Sequence, residues 1–334
     1  MSSIPTTMKS VLLTDYGPGF GAVEVIERNV PEPKNGEVLV KVTASPINPS
    51  DLMFMTGRYG FKKRLPVVPG FEASGTVVAS GGGLLARLWM GRRVAFAVQA
   101  TGDGTWAEYA VASAAHCLPL RNDVTFEQGA MMLVNPFTAW ALMSIARERG
   151  AKTVLSTAAG SSLGSMIWRL GKEQGVDVVG IVRRTEQAVE LKARGMEVLC
   201  AADAKFEQEL SVLCRREKIK LAFDAVGGET TARLAKALDI GGQVIVYGGL
   251  SLKDASLSLD DLIFRSKSVE GFWLSQWFAN KGLGVILTDA PKVQKLIGTV
   301  LASEVRRTYP LDDAVAALSD YTAAMSGGKI LFVP

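Results

Sequence analysis

Two arginines, Arg183 and Arg184, close the apolar run Val178-Val179-Gly180-Ile181-Val182, and no carboxylate comes before Glu186. Guanidinium groups bind phosphate through paired, charge-assisted hydrogen bonds. Upstream, Gly160, Ser161, Ser162, Leu163 and Gly164 form a loop of small residues between the β-rich run Thr153-Val154-Leu155 and a segment with apolar Leu163, Met166, Ile167 and Leu170 at helical spacing. Such a turn lets backbone approach a ligand closely and aims a helix N-terminus at an anion. The whole unit reads as the pyrophosphate site of a Rossmann-type domain, although the three-glycine fingerprint is incomplete. NAD-binding units close their second strand with an acidic residue that holds the ribose 2′-hydroxyl. Arginines in its place suit a 2′-phosphate, so the expected cofactor is NADPH. The competing readings are an ordinary βαβ turn and a pair of solvated arginines.

The same inventory argues against a metal centre. The chain has one histidine, His116, and three scattered cysteines, Cys117, Cys200 and Cys214. A structural zinc site takes four thiolate or imidazole ligands at close spacing, and no C-x-x-C occurs. His116 and Cys117 read as packing or surface residues, so no metal is expected. Unpaired cysteines and the lack of a recognisable signal or transit segment suit a reducing cytoplasm.

The elements that must position these residues change character along the chain. Up to about residue 125 the sequence alternates in the period of β-strands, broken by many turns. Thr125 to Ala130 and Pro136 to Arg149 have helical patterns. From Ala151 strand and helix alternate, with further strands closing at Val198, Val226, Tyr247 and Leu274. Repeated βα units predict a parallel sheet covered on both faces, with ligands at the carboxyl ends of its strands. A helix over 292–303, another near 312–324 and a terminal strand from Lys329 end the chain. At 334 residues, 48% hydrophobic and 21% charged, the composition suits a soluble two-domain protein. A net charge of +4 gives no reason to expect nucleic acid, and no apolar run reaches membrane-spanning length.

The order of a β-rich first domain, an inserted nucleotide domain and a return segment resembles the medium-chain dehydrogenase/reductase superfamily. The segments 104–109 (GTWAEY) and 135–140 (NPFTAW) are similar to its markers. Where the zinc-using branch carries a cysteine and a Gly-His-Glu motif, this chain has Asp51 and Gly70-Phe71-Glu72, which resembles the zinc-free, quinone oxidoreductase-like branch. Within it, Ile47-Asn48-Pro49-Ser50-Asp51, Gly57-Arg58-Tyr59-Gly60 and Gly271-Phe272-Trp273-Leu274-Ser275-Gln276-Trp277 are similar to the mitochondrial-type 2-enoyl thioester reductases. The resemblance implies an α/β fold with a Rossmann NADPH-binding domain (131–284) inserted in a β-rich, chaperonin-10-like catalytic domain (1–130 and 285–334).

The resemblance also assigns roles. Tyr59 is the implied proton donor. Asn135, the segment Ser161 to Gly164, Arg183, Arg184, Tyr247, Gly248, Gly249, Leu250, Phe272, Trp273, Leu274, Ser275 and Lys329 are implied NADPH contacts, with Asn48 and Thr138 near the nicotinamide end. Plainer readings stand beside these: Tyr59 as loop packing, Phe272 and Trp273 as core aromatics, Lys329 as a surface lysine, Asp224 as a turn cap. Reducing an α,β-unsaturated carbonyl takes a hydride at the β-carbon and a donor for the enolate charge. Three functions are open: an enoyl thioester reductase, an NADPH-dependent quinone or enone reductase, and a non-catalytic NADPH-binding protein. The run Asp261 to Trp273 has an apolar strand after the Rossmann core. In relatives this edge pairs across a two-fold axis, which implies a homodimer.

Overall fold

The computed structural model describes residues 4–18, 22–98, 100–282 and 284–334. The chain divides into two units, one of Met1–Val134 with Ile286–Pro334 and one of Asn135–Val285.

The first unit is built on strands. An antiparallel ribbon, β1 (Thr7–Leu13) and β2 (Val23–Asn29), precedes β3 (Glu37–Pro46), the short helix α1 (Pro49–Met55) and β4 (Glu72–Ser80). Then follow α2 (Leu84–Leu88), β5 (Arg93–Ala97), β6 (Tyr109–Ser113), β7 (Cys117–Pro119) and α3 (Phe126–Ala130). The apolar residues of β3 pack into cores on both sides of its sheet, while Lys41 stays exposed. Val38, Val40 and Val42 pack with Phe96 on one side, while Leu39 joins Trp106 and Phe332 on the other. Asn48 caps α1, Pro49 takes its first turn, and Asp51 closes a capping box.

The second unit opens with α4 (Asn135–Glu148) and alternates β8 (Thr153–Thr157), α5 (Ser162–Gln174), β9 (Asp177–Val182), α6 (Thr185–Ala193), β10 (Val198–Cys200), α7 (Phe206–Arg216), β11 (Leu221–Asp224), α8 (Glu229–Ala237), β12 (Gln243–Val246), β13 (Ser268–Gly271) and α9 (Leu274–Lys281). The strands form one parallel sheet in the order β10-β9-β8-β11-β12-β13, the doubly wound Rossmann arrangement. Its order reverses between β8 and β11. There Asp224, fully buried, accepts hydrogen bonds from the Thr157 and Thr231 hydroxyls at 2.8 and 2.6 Å and from the backbone N–H of Val226 at 2.9 Å. It fixes the turn after β11, as the turn-cap reading has it.

The chain then returns to the first unit through α10 (Ala290–Leu296), β14 (Val305–Tyr309), α11 (Ala314–Ala323) and β15 (Lys329–Phe332). β14 and β15 extend the first sheet to β14-β15-β3-β4-β5-β7, with β6 also on β3. Two sequence expectations need correction. The helix expected over 292–303 stops at Leu296. The strand expected to reach Leu274 ends at Gly271, because Trp273 already caps α9. Within Asp261 to Trp273 the strand is β13 alone; Asp260–Phe264 before it is a helical turn, held where Lys267 pairs with Asp261 at 2.9 Å.

Candidate active site

Four of the sequence-selected segments follow strands of the one parallel sheet. Residues 160–164 follow β8, Arg183 and Arg184 follow β9, 247–250 follow β12, and 272–275 follow β13. Parallel strands place all four at the same, carboxyl edge. Backbone bonds tie that edge together: Tyr247 N–H donates to Asp224, Leu250 N–H to Ala225, and Phe272 N–H to Val246, at 2.9, 3.1 and 2.8 Å. Burial and the nearby Asp224 push the Tyr247 phenol above its ordinary value, so it stays neutral. Trp273 is 43% exposed, which sets aside the core reading of that side chain. Asn135 and Thr138 sit in the first turn of α4, both mostly buried.

The loop after β8 has the form a pyrophosphate needs. Ser161 caps α5, its hydroxyl accepting from the Gly164 N–H at 3.0 Å. The N–H groups of Ser162 and Leu163, in the first turn, have no intrahelical acceptor. A Cβ on Gly164 would stand 2.6 Å from the Ala158 carbonyl oxygen, so only glycine lets the helix close on the loop. Gly160 lies under Gln187, whose Nε2 would be 3.1 Å from an added Cβ. Arg183 and Arg184 are exposed, and no ion pair among the described residues engages them. A dinucleotide with a phosphate on its adenosine ribose fits this donor set: helix N-terminus for the pyrophosphate, two guanidinium groups for the extra phosphate.

In the first unit, Asn48 and Lys329 come together although they stand 281 positions apart in the sequence. The Lys329 ammonium donates to Asn48 Oδ1. Asn48 Nδ2 donates to Glu72 Oε1 at 2.9 Å, and the backbone N–H groups of Leu133 and Val134 each donate to Glu72 Oε2 at 2.9 Å. The Asn48 N–H donates to Asp51 Oδ2 at 2.7 Å. None of the four side-chain-bearing residues exceeds 3% exposure. An ammonium only donates and a carboxylate only accepts, so the Asn48 amide has a single workable orientation. Burial pushes the Glu72 carboxyl up and the Lys329 ammonium down, while their mutual attraction opposes both shifts. Three donors on the two Glu72 oxygens leave no acceptor for a carboxyl proton, and we take Glu72 as ionised. One expectation changes accordingly: Lys329 is not a surface lysine but a buried one, bonded to Asn48.

Tyr59 lies in an aromatic group of the same unit. Its ring is 4.8 Å from Phe71 and 5.1 Å from Phe61, centroid to centroid. The loop is fastened by Tyr16, whose hydroxyl donates to the Lys63 carbonyl at 2.8 Å and accepts from the Lys63 N–H at 2.7 Å. Phe71, which replaces the histidine of the zinc-using pattern, therefore serves as a wall for Tyr59. Loop packing and proton donation are compatible roles here, since the faces of the ring are held and the ring is only half-buried.

The sequence marks Glu72 and Asp51 only as standing where the zinc-using pattern has metal ligands. The signal available for their burial is an acidic residue between apolar neighbours, Phe71-Glu72-Ala73, and another three residues after the N-cap Asn48. Asp51 leads to a pH test. Desolvation is the main cause that lifts its carboxyl from 3.8 to about 7, with Glu72 adding to it and the Asn48 N–H and Lys329 opposing. A carboxyl raised on folding is stabilising while protonated, and stability falls as pH rises from about 4 to about 7. Asp51→Asn keeps an acceptor for the Asn48 N–H. Its melting curve should coincide with wild type near pH 4 and lie above it at pH 8; equal pH dependence of the two proteins would contradict this placement of Asp51.

Comparison with known proteins agrees with this architecture. The family model for the alcohol dehydrogenase GroES-like domain matches residues 34–122, and that for zinc-binding dehydrogenase matches 162–283. Among the described residues no group of three His, Cys, Asp or Glu side chains could hold a metal ion. The mitochondrial enoyl-[acyl-carrier-protein] reductase of Homo sapiens is 30% identical over 99% of this chain and 88% of its own length. A solved Mesorhizobium loti protein, provisionally assigned as an NADPH:quinone reductase, is 35% identical with a TM-score of 0.92, covering 99% of this chain and 100% of that one. A mycobacterial protein solved with NADPH is 26% identical with a TM-score of 0.83, over 98% of this chain and 100% of its own. With a relative this similar along its whole length, and with two domain models in the order of the fold, the chain belongs to the medium-chain dehydrogenase/reductase superfamily, in its quinone oxidoreductase-like branch, and is an oxidoreductase.

Proposed function

We propose that this protein is an NADPH-dependent reductase of the carbon–carbon double bond in 2-enoyl thioesters. The observation that carries the reading is Tyr59, a phenol in the Gly57–Gly60 loop with its ring held by Phe61 and Phe71. The similarity to a mitochondrial enoyl-[acyl-carrier-protein] reductase along nearly the whole chain supports it. The bound dinucleotide supplies a hydride to the β-carbon. Ser162 and Leu163 hold its pyrophosphate through backbone N–H groups, and Arg183 and Arg184 hold the 2′-phosphate. The segments 247–250 and 272–275 line its path along the sheet edge. The Tyr59 phenol donates its proton or a hydrogen bond to the developing enolate. Quinone reduction is the second reading, favoured by the assignment of the Mesorhizobium protein. All three cysteines are free, which supports a cytoplasmic setting for either.

The protein is further proposed to be a homodimer. β13 is an edge strand of the parallel sheet, and Leu259, Ile263 and Phe264 beside it are 70%, 63% and 78% exposed. An open strand edge next to exposed apolar side chains suits pairing with a second copy.

Three expected outcomes follow from these assignments. Replacing Arg183 and Arg184 by alanine should raise the Michaelis constant for NADPH far more than for NADH, since each charged contact is worth about 1.5–3 kcal/mol; equal effects on both cofactors would remove the 2′-phosphate site. Tyr59→Phe should lower the turnover number for enoyl-CoA by at least about tenfold, with NADPH affinity and folding little changed. A wild-type rate in that variant would sink the donor role. Light scattering should give twice the mass of one chain; a monomer at all concentrations tested would count against the β13 edge.

A further inference from the structure

Glu72 opens β4, yet its carboxylate is bonded to two other stretches of the first unit and linked through one of them to a third. Through Asn48 Nδ2 it holds the N-cap of α1, the helix that leads into the loop of Tyr59. Through the N–H groups of Leu133 and Val134 it holds the strip that ends this unit, immediately before Asn135. Lys329 on β15 reaches the same carboxylate through the Asn48 amide. The polarity of the chain is fixed: ammonium to amide oxygen, amide nitrogen to carboxylate, carboxylate to two backbone N–H groups. No member can reverse without setting donor against donor. The lever is direct, because the Gly57 N–H bonds to Phe54 at 2.8 Å and the Arg58 N–H to Met53 at 2.9 Å, so the Tyr59 loop is carried on α1 itself.

We infer that Glu72 is a positioning residue for the reduction: its ionised carboxylate, tied to Lys329 through Asn48, sets the Tyr59 loop and the Leu133–Val134 strip in register. This inference rests on the proposed role of Tyr59 in the reaction. A glutamine at 72 has the shape of the native residue but turns an NH₂ toward the Asn48 NH₂ or toward the two backbone N–H groups. A donor then faces a donor at one end, and Asn48 can relieve this only by turning its own NH₂ on Lys329. The loop shifts while the Rossmann unit is untouched. Misplacement by about 1 Å can reduce turnover by ~10²-fold, whereas cofactor affinity, set elsewhere, should hold.

The test compares full-length wild type with Glu72→Gln, with Glu72→Gln/Lys329→Met and with Asn48→Ala. Turnover is measured with whichever acceptor wild type reduces, crotonyl-CoA or a quinone, and amide hydrogen exchange is measured on the ligand-free proteins. Glu72→Gln should lose at least about tenfold in kcat while KM for NADPH moves less than about threefold. Exchange should quicken in the peptides covering 48–61 and 131–136 and stay as in wild type across β8 to β12. The double variant removes the unpaired buried ammonium and should recover the melting temperature without recovering kcat. The inference is overturned if Glu72→Gln turns over like wild type, or if the double variant regains kcat and melting temperature together, which would make the network stabilising only. Should Glu72→Gln fail to fold, Asn48→Ala breaks the middle link, and unchanged kcat and exchange there would overturn the inference equally. A wild-type protein that reduces neither acceptor defeats the enoyl and quinone readings alone; the exchange comparison still decides whether Glu72 sets the two segments.

Discussion

The first unit depends on one constraint: a buried carboxylate must have its charge answered from every side. Glu72 meets this with an amide, two backbone N–H groups and, through the amide, a buried ammonium. Removing one partner of such a buried pair typically destabilises by about 3–5 kcal/mol, because the other charge is stranded. Replacing the whole group by apolar side chains would often be neutral, so the network is a poor device for stability alone. What it does supply is geometry. It adds side-chain bonds between β4, the N-cap of α1 and the C-terminal strand β15, already neighbours in one sheet, and ties to them the strip before α4.

The second unit works by a different means. Its candidate residues need no network because the parallel sheet delivers them. Each strand ends at the same edge, and the turns after β8, β9, β12 and β13 become neighbours by topology. Asp224 secures the reversal of strand order by gripping Thr157 and Thr231. The helix N-terminus at Ser162 and the two exposed arginines then present donors along one edge, the pattern that a dinucleotide with a third phosphate requires.

The parts legible in the sequence were those with local signatures. Alternating βα units announce the parallel sheet, and the apolar run before Arg183–Arg184 announces β9, which ends just before the two arginines. The turn at Asp224 was readable as well. Element ends are less so: the strand expected over 268–274 stops at Gly271, and Trp273 caps a helix. The run 292–303 lost its second half because helical periodicity does not record tertiary packing. The Asn48–Lys329 contact was beyond reach for a plainer reason. Each residue is ordinary in its own stretch, and the two stand 281 positions apart. Burial of Glu72 and Asp51 likewise depends on strands from both ends of the chain, which no local pattern encodes.

The central claim is that the hydride goes to the double bond of an enoyl thioester. Its most direct measurement is NADPH oxidation by the wild-type protein with crotonyl-CoA, a longer trans-2-enoyl-CoA and a quinone under one set of conditions. The account predicts turnover of the enoyl thioesters, with kcat/KM at least about tenfold above that for the quinone, since a positioned acid contributes that much or more where charge must be neutralised. Turnover of the quinone with no reduction of either thioester would contradict it.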